Sequence, residues 1–210
     1  MNKKYAAETN LSQSLQNAYE SETDYENMYC ENGVFSGTFE AGNIIGCKFL
    51  SCRFNSASFQ RSAFTDCIFR SCDLSNCDFT DAYFKDCVFE NCKLMGAKLP
   101  DTVIYTSVFS GCNLSYSTFA KAKTDTVNFK ECNFEEASLS EMKLKKTIFH
   151  ENSFCRCSFF MTKLLGVDLS QNDLSGIILS DSLYELRGAY ISSEQACIIA
   201  KMLGIKINDM

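Results

Sequence analysis

Thirteen cysteines in 210 residues are the first side chains that suggest chemistry. Five of them, Cys67, Cys72, Cys77, Cys87 and Cys92, fall at intervals of five or ten. Structural zinc takes short-range pairs such as C-x2-C, or histidine partners. The chain has no C-x2-C and one histidine, His150. A disulfide needs a set Cα separation and dihedral, and an odd count rules out complete intramolecular pairing. The remaining use is packing, since a buried cysteine behaves as a small hydrophobe. His150 has no matched Ser or Cys nucleophile, no glycine-rich phosphate loop occurs, and no carboxylate pair marks a pocket. No catalytic, cofactor-binding or metal-ligating residue is therefore expected, and no enzyme activity.

The elements that position these cysteines repeat every five residues. Every fifth residue from Phe39 to Leu179 gives 29 positions, and Phe fills sixteen of them, Leu ten and Ile two. Thr124 is the one polar member of this central column. It is either a local defect with a hydrogen-bonded hydroxyl or a dent used for contact. Two residues before each centre lies a column of small side chains that holds ten of the thirteen cysteines, along with Ala, Ser and Gly. Cys30, Cys155 and Cys197 lie off it, and Cys155 is expected to be the exposed thiol.

A period of five fits neither regular element. Five helical steps turn each residue about 140° from the last, and an odd period flips sides along a straight strand. A three-residue extended arm followed by a corner does fit. The small residue and the centre point inward, and Asp, Asn, Ser and Gly turn the corner. Repetition winds a solenoid whose coils stack at about 4.8 Å.

The segments CDLSN, CDFTD, CVFEN, CNFEE and VDLSQ resemble the pentapeptide-repeat proteins. The resemblance implies an all-β solenoid, a right-handed quadrilateral β-helix with four pentapeptides per coil and about seven coils, followed by a short C-terminal α-helix. On that basis residues 1–33 form an N-terminal cap, 34–183 the β-helix, and 184–210 a C-terminal helix and dimerisation segment. In the 20-residue register Phe49, Phe69, Phe89, Phe109, Phe129 and Phe149 stack as a ladder. Cys52, Cys72, Cys92, Cys112 and Cys132 stack beside them, continued by Asn152 and Asn172.

The ends break the rhythm. NLSQSLQNAYESETDYENMY is expected to form a short helix or irregular cap, with Tyr19, Tyr25 and Tyr29 as aromatic anchors. Near the other end, Ser193 precedes EQACIIAKMLG, whose apolar spacing is helical and whose Gly204 is a stop signal. The segment LRGAYISSEQACIIAKMLGIKI resembles the closing segment of the Qnr and MfpA branch, through Leu186, Gly188, Gln195, Ala196, Leu203, Gly204 and Ile205. That resemblance implies a homodimer joined through Gln195, Ala196, Ile199, Ala200, Leu203, Ile205 and Ile207. It also implies a DNA-mimicking rod that binds DNA gyrase, and topoisomerase IV beside it, and protects them from quinolones. The unbroken register from 39 to 179 leaves no room for the inter-coil loops of the Gram-negative members, so the chain is similar to the loopless ones.

The net charge of −6 argues against direct nucleic-acid or anionic-membrane binding. Acidic residues recur at corners: Asp66, Asp81, Asp86, Asp101, Glu131, Glu136 and Glu141. They are the partner-binding candidates, and an ordinary soluble surface is the alternative. Lysines 121, 123, 143, 145, 146 and 163 interrupt the acidity in later coils. The outward column Lys48, Ile68, Val88, Val108, Asn128 and Ile148 is either a partner surface or plain strand preference. A cytosolic interaction scaffold with another partner is the alternative function. No apolar run reaches membrane-span length, and two N-terminal lysines without an apolar stretch do not make a secretory signal. A cytoplasmic, reducing location is expected.

Overall fold

An extended arm, three residues long on two of the faces, and a left-handed corner make each repeat, and four repeats close one square coil. A computed structural model describes residues 5–208. The outermost residues of both terminal segments, 1–4 and 209–210, lie outside it. The result is a parallel β-solenoid of about seven turns with a helix at its C-terminal end.

Face 1 is a parallel ladder of Tyr25–Glu26, Asn43–Ile45, Ala63–Thr65, Tyr83–Lys85, Val103–Tyr105, Lys123–Asp125 and Lys143–Lys145. Face 2 stacks Ala6–Glu8, Met28–Glu31, Lys48–Leu50, Ile68–Arg70, Val88–Glu90, Val108–Ser110, Asn128–Lys130 and Ile148–His150. Faces 3 and 4 are mostly single bridges, such as Asp73 to Lys93 and Asp78 to Lys98. The residue between the two inward columns contributes to the difference. On face 2 it is mainly Ile or Val, which favour extended backbone. On faces 3 and 4, Asp73, Asp78, Asn113, Asn133 and Asp173 each accept the backbone N–H two residues on, at 2.9–3.0 Å. These Asx turns cut the strand short.

The parallel hydrogen bonds set the coil spacing, and the core fills it. Phe49, Phe69, Phe89, Phe109, Phe129 and Phe149 stack with ring centroids 4.5–5.4 Å apart. Rings separated by one strand spacing sit in offset-stacked contact. The corner residue two places after each centre has positive φ: 57° at Asp66, 56° at Asp81 and 54° at Glu136. Asp, Asn and Gly take that conformation most readily.

Pairing reaches further at both ends than the 34–183 segment. Tyr25, Cys30 and Phe35 occupy central positions and pair with Ile44, Phe49 and Phe54, 19 residues on. The 20-residue step resumes from Thr38 to Ser58. One corner residue is missing between Phe35 and Phe39, so counting fives back from Phe39 misses this coil. Helix α1 (Leu11–Glu20) is capped by Asn10, whose side chain accepts the Gln13 N–H at 3.1 Å. It buries Leu11, Leu15 and Ala18 over the open end. Of the three tyrosines expected as anchors, Tyr25 is buried, Tyr29 half-buried and Tyr19 exposed against Phe39.

At the other end Asp168 bridges to Tyr190, so the chain adds part of a coil beyond 183. Gly188 turns there with φ 75°, and a Cβ would meet the Leu165 Cδ1 at 2.5 Å. The buried Glu185 carboxylate replaces the carbonyl that a further coil would supply. Its Oε1 accepts the Met161 N–H at 3.0 Å and the Ser180 N–H at 3.1 Å. Burial alone would push this carboxyl up, but the N–H donors of Met161, Glu185 and Ser180 and the Ser180 hydroxyl outweigh it and hold it below the ordinary glutamate value. A depressed folded value contributes stability that is present above the unfolded glutamate range and lost as pH falls through the folded value. Glu185→Gln is expected to cost about 1–2 kcal/mol at neutral pH. Urea unfolding midpoints of the two proteins should converge as pH falls below about 4.

Candidate partner-binding surface

The cysteine column faces the core and works as a set of hydrogen-bond donors. Cys67, Cys72, Cys87 and Cys92 donate Sγ–H to the central carbonyls of Ile44, Phe49, Phe64 and Phe69 in the preceding coil, at 3.2–3.4 Å. Ser62, Thr162 and Asn152 donate to the equivalent carbonyls of Phe39, Leu139 and Phe129. A small side chain with a donor therefore suits the site, which explains why Cys, Ser, Thr and Asn exchange there. Burial pushes the Cys77 thiol up to about 12. Burial likewise pushes the Cys157 thiol above its ordinary range. All thirteen cysteines are free thiols, and among the described residues no group of three His, Cys, Asp or Glu is placed to hold a metal ion. Cys155 is half-buried and receives a hydrogen bond from Arg156 at 3.4 Å; Cys197, on the terminal helix, is the exposed thiol instead.

Thr124 is buried and its hydroxyl shares a hydrogen bond with Thr147 at 2.7 Å. Outside it lies a shallow apolar depression of about 240 Å³, lined by Val103, Tyr105, Lys123, Lys143 and Lys145 among others. The central substitution and the surface dent thus coincide.

All seven acidic candidates are exposed left-handed corners, with φ between 53° and 57°. They form two groups. Asp66 and Asp86 stack on one edge of face 1, and Asp81 and Asp101 on its other edge. Glu141 continues the latter edge after Lys121 intervenes. Glu131 and Glu136 instead flank face 3. Several have partners within the chain: Asp86 accepts the Thr106 hydroxyl, Glu131 pairs with Lys130 at 3.1 Å, and Glu136 with Arg156 at 2.9 Å. Between the Asp-lined edges, Tyr83, Val103 and Tyr105 are exposed. On face 2, Val108 and Ile148 are exposed while Ile68, Val88 and Asn128 are half-buried.

The C-terminal candidates divide by orientation. Helix α2 (Ser193–Met202) opens with a capping box between Ser192 and Gln195. Gln195 is buried and donates Nε2–H to the carbonyls of Leu169 at 2.8 Å and Asn172 at 2.6 Å. It extends the amide ladder in which Asn172 Oδ1 accepts from Asn152, and so closes the column that the thiols begin. Ile199 is buried against the same end, and Ala200 is half-buried. Ala196, Leu203 and Ile205 are exposed, and Ile207 is half-buried.

A square parallel solenoid whose inward columns are Phe, Leu and small donors is a repeat rod, and its surface is what it offers to other molecules. The family described as pentapeptide repeats (9 copies) matches residues 44–88, and the pentapeptide repeat region matches 82–154, together more than half of the chain. The chain belongs to the pentapeptide-repeat family. A trypsin-treated form of QnrB1, a plasmid-mediated fluoroquinolone resistance protein, is 17% identical over 84% of this chain and 99% of its own, with a TM-score of 0.45. Full-length QnrB1 is 16% identical over 84% and 100%, with a TM-score of 0.36. HetL, a pentapeptide-repeat protein involved in heterocyst differentiation regulation in the cyanobacterium Nostoc sp. strain PCC 7120, is 13% identical over 85% and 96%, with a TM-score of 0.39. No curated protein sequence matches the chain. No described helix is long and apolar enough to cross a membrane.

Thiol labelling checks the placement of the cysteines. A maleimide should modify Cys197 rapidly and Cys155 slowly in the native protein, and all thirteen after unfolding. Rapid native modification of Cys72 or Cys92 would contradict the buried column.

Proposed function

We propose that this protein is a DNA-mimicking interaction rod that binds DNA gyrase and topoisomerase IV and protects them from quinolones. The observation that carries this reading is the stacking of carboxylates one coil apart: Asp66 under Asp86, and Asp81 under Asp101, along both edges of face 1. Charges repeated along a stiff rod imitate a phosphate backbone toward a DNA-binding surface. The net charge of −6 and the closing segment from Leu186 to Ile205 support it. Described roles differ among proteins of this kind, as QnrB1 and HetL illustrate, so the choice rests on the surface rather than on the coil. The repeat rod is assigned no catalysis.

The test is a gyrase supercoiling assay with and without quinolone. Addition of the protein should restore supercoiling in the presence of drug, and binding should weaken as salt rises. Asp81→Asn with Asp86→Asn and Asp101→Asn removes charge while keeping a residue that accepts the left-handed corner. This variant should lose most of the protection. No binding and no rescue would sink the reading. The exposed apolar side chains of face 2, Val108 and Ile148, favour the second reading, a scaffold for another cytosolic protein. It predicts that Val108→Lys removes partner binding while the Asp variants retain it.

Dimerisation through the C-terminal segment belongs to the same proposal. Gln195 and Ile199 are engaged by their own coil, which leaves Ala196, Leu203, Ile205 and Ile207 for a second chain. Leu203 and Ile205 are 57% and 53% exposed, as a buried contact between copies requires. Ile205→Asp should halve the mass seen by sedimentation at high salt.

A further inference from the structure

Face 1 changes sign along the rod. Its earlier coils carry Asp66, Asp81, Asp86 and Asp101 at the corners, with Arg61 and Lys85 as cations. Its later coils carry Lys121, Lys123, Lys143, Lys145, Lys146 and Lys163 against Asp125 and Glu141. Lys123 and Lys143 are register partners, and Lys163 follows 20 residues on. Like charges stacked one strand spacing apart are destabilising without a counter-charge. Lys145 has one in Asp125 at 2.7 Å. Among the described residues no ion pair engages Lys121, Lys123, Lys143, Lys146 or Lys163. Between the two halves lie Tyr83, Val103 and Tyr105, each at least 36% exposed.

We infer that face 1 is a self-complementary surface that docks a second copy of this chain side by side and antiparallel. The two-fold axis lies between the opposed faces, at right angles to the rods, and passes through the coil of Val103 and Tyr105. Rotation about an axis parallel to the strands keeps each outward column opposite itself and reverses the coil order. Counting coils away from the axis then fixes every contact. Asp81 faces Lys121 of the second copy, Lys85 faces Asp125, Arg61 faces Glu141, and Asp66 faces Lys146. Tyr83 lies opposite Lys123, a cation–π arrangement. At the two extremes Ile45 meets Leu165, whose side chain is 76% exposed. Val103 and Tyr105 meet their own symmetry mates beside the apolar depression that ends at the lysine stems. Asp101 also meets its own mate at one edge, with Lys121 one coil away in each copy. Displacing the axis by half a coil toward the C-terminus keeps two attractive pairs, Asp101 with Lys121 and Asp86 with Lys146, but sets Lys85 against Lys145 and Asp81 against Glu141, so the balance of charge favours the first register.

Seven coils span about 30 Å, which places the contact at or below the ~800 Å² per partner of a standard interface. Association through it is reversible and salt-sensitive. The surface is distinct from the C-terminal contact, and it stands whether or not a topoisomerase is the partner of the acidic half.

Sedimentation velocity on the full chain carrying Ile205→Asp tests the inference apart from the C-terminal dimer. The protein should associate at about 0.05 M salt and dissociate at about 0.5 M. Asp81→Lys or Lys121→Asp alone should weaken association about tenfold or more. Lys and Asp both occur at native corners, so these variants keep the fold, and the circular dichroism of each should match the parent. The double variant Asp81→Lys with Lys121→Asp should recover association, because the swapped charges meet again across the axis. Failure to associate at low salt, unchanged association of the single variants, or no recovery in the double variant would each overturn the inference. So would binding of a duplex DNA oligomer that depends on Lys121 while the chain stays unassociated, since the lysines would then serve a polyanion.

Discussion

The spacing between hydrogen-bonded parallel strands governs this molecule. Each coil lies about 4.8 Å from the next, so each side chain has a structurally equivalent neighbour at that distance above and below. Flat rings fill the interval, and the phenylalanine ladder from Phe49 to Phe149 shows it with centroid separations of 4.5–5.4 Å. Small side chains fill the adjoining column, and donors there such as Ser62, Cys67 and Cys92 reach the central carbonyl of the previous coil. The same spacing that makes identical neighbours favourable inside makes identical charges costly outside. Asp81 under Asp101 and Lys123 under Lys143 are thus features that an ordinary soluble surface does not need, and the DNA-mimic proposal and the face 1 association both start from them.

The ends show how the ladder is stopped. A stack of parallel coils exposes unpaired backbone at each end. At the N-terminal end α1 lays Leu11, Leu15 and Ala18 over the first coil. At the C-terminal end side chains take over the backbone's role. The Glu185 carboxylate receives the N–H groups of Met161 and Ser180, and the Gln195 amide donates to Leu169 and Asn172. Gln195 also holds the capping box of α2, so the last coil and the terminal helix are joined through one side chain. The remainder of the segment, Leu203 and Ile205, is exposed.

Most of the coil was legible because a period of five with one apolar and one small column has few structural solutions. The cysteines could be set aside as packing groups from their exchange with Ala and Ser. Their role as donors to a carbonyl one coil away was not legible, because it depends on contacts 23 residues apart. The first coil was hidden by a single missing corner between Phe35 and Phe39, which shifts the count of five while leaving the pairing intact. The exposed thiol was misplaced for a related reason: Cys155 stands at an outward position, yet Arg156 partly covers it.

Sequence alone determined the repeat, the inward columns and the interruption at Thr124, since these depend on residue type at fixed spacing. It also placed the acidic corners, although their preference for a left-handed backbone was visible only in the φ values. Tertiary structure decided which corners share a face. Asp66, Asp81, Asp86 and Asp101 border face 1, whereas Glu131 and Glu136 border face 3. It likewise assigned Gln195 and Ile199 inward and Leu203 and Ile205 outward. The reason is geometric: five residues of sequence turn the chain through one corner, so residues close in the chain point in different directions. Residues that share a surface are about 20 apart, and their common environment exists only once the coils have stacked.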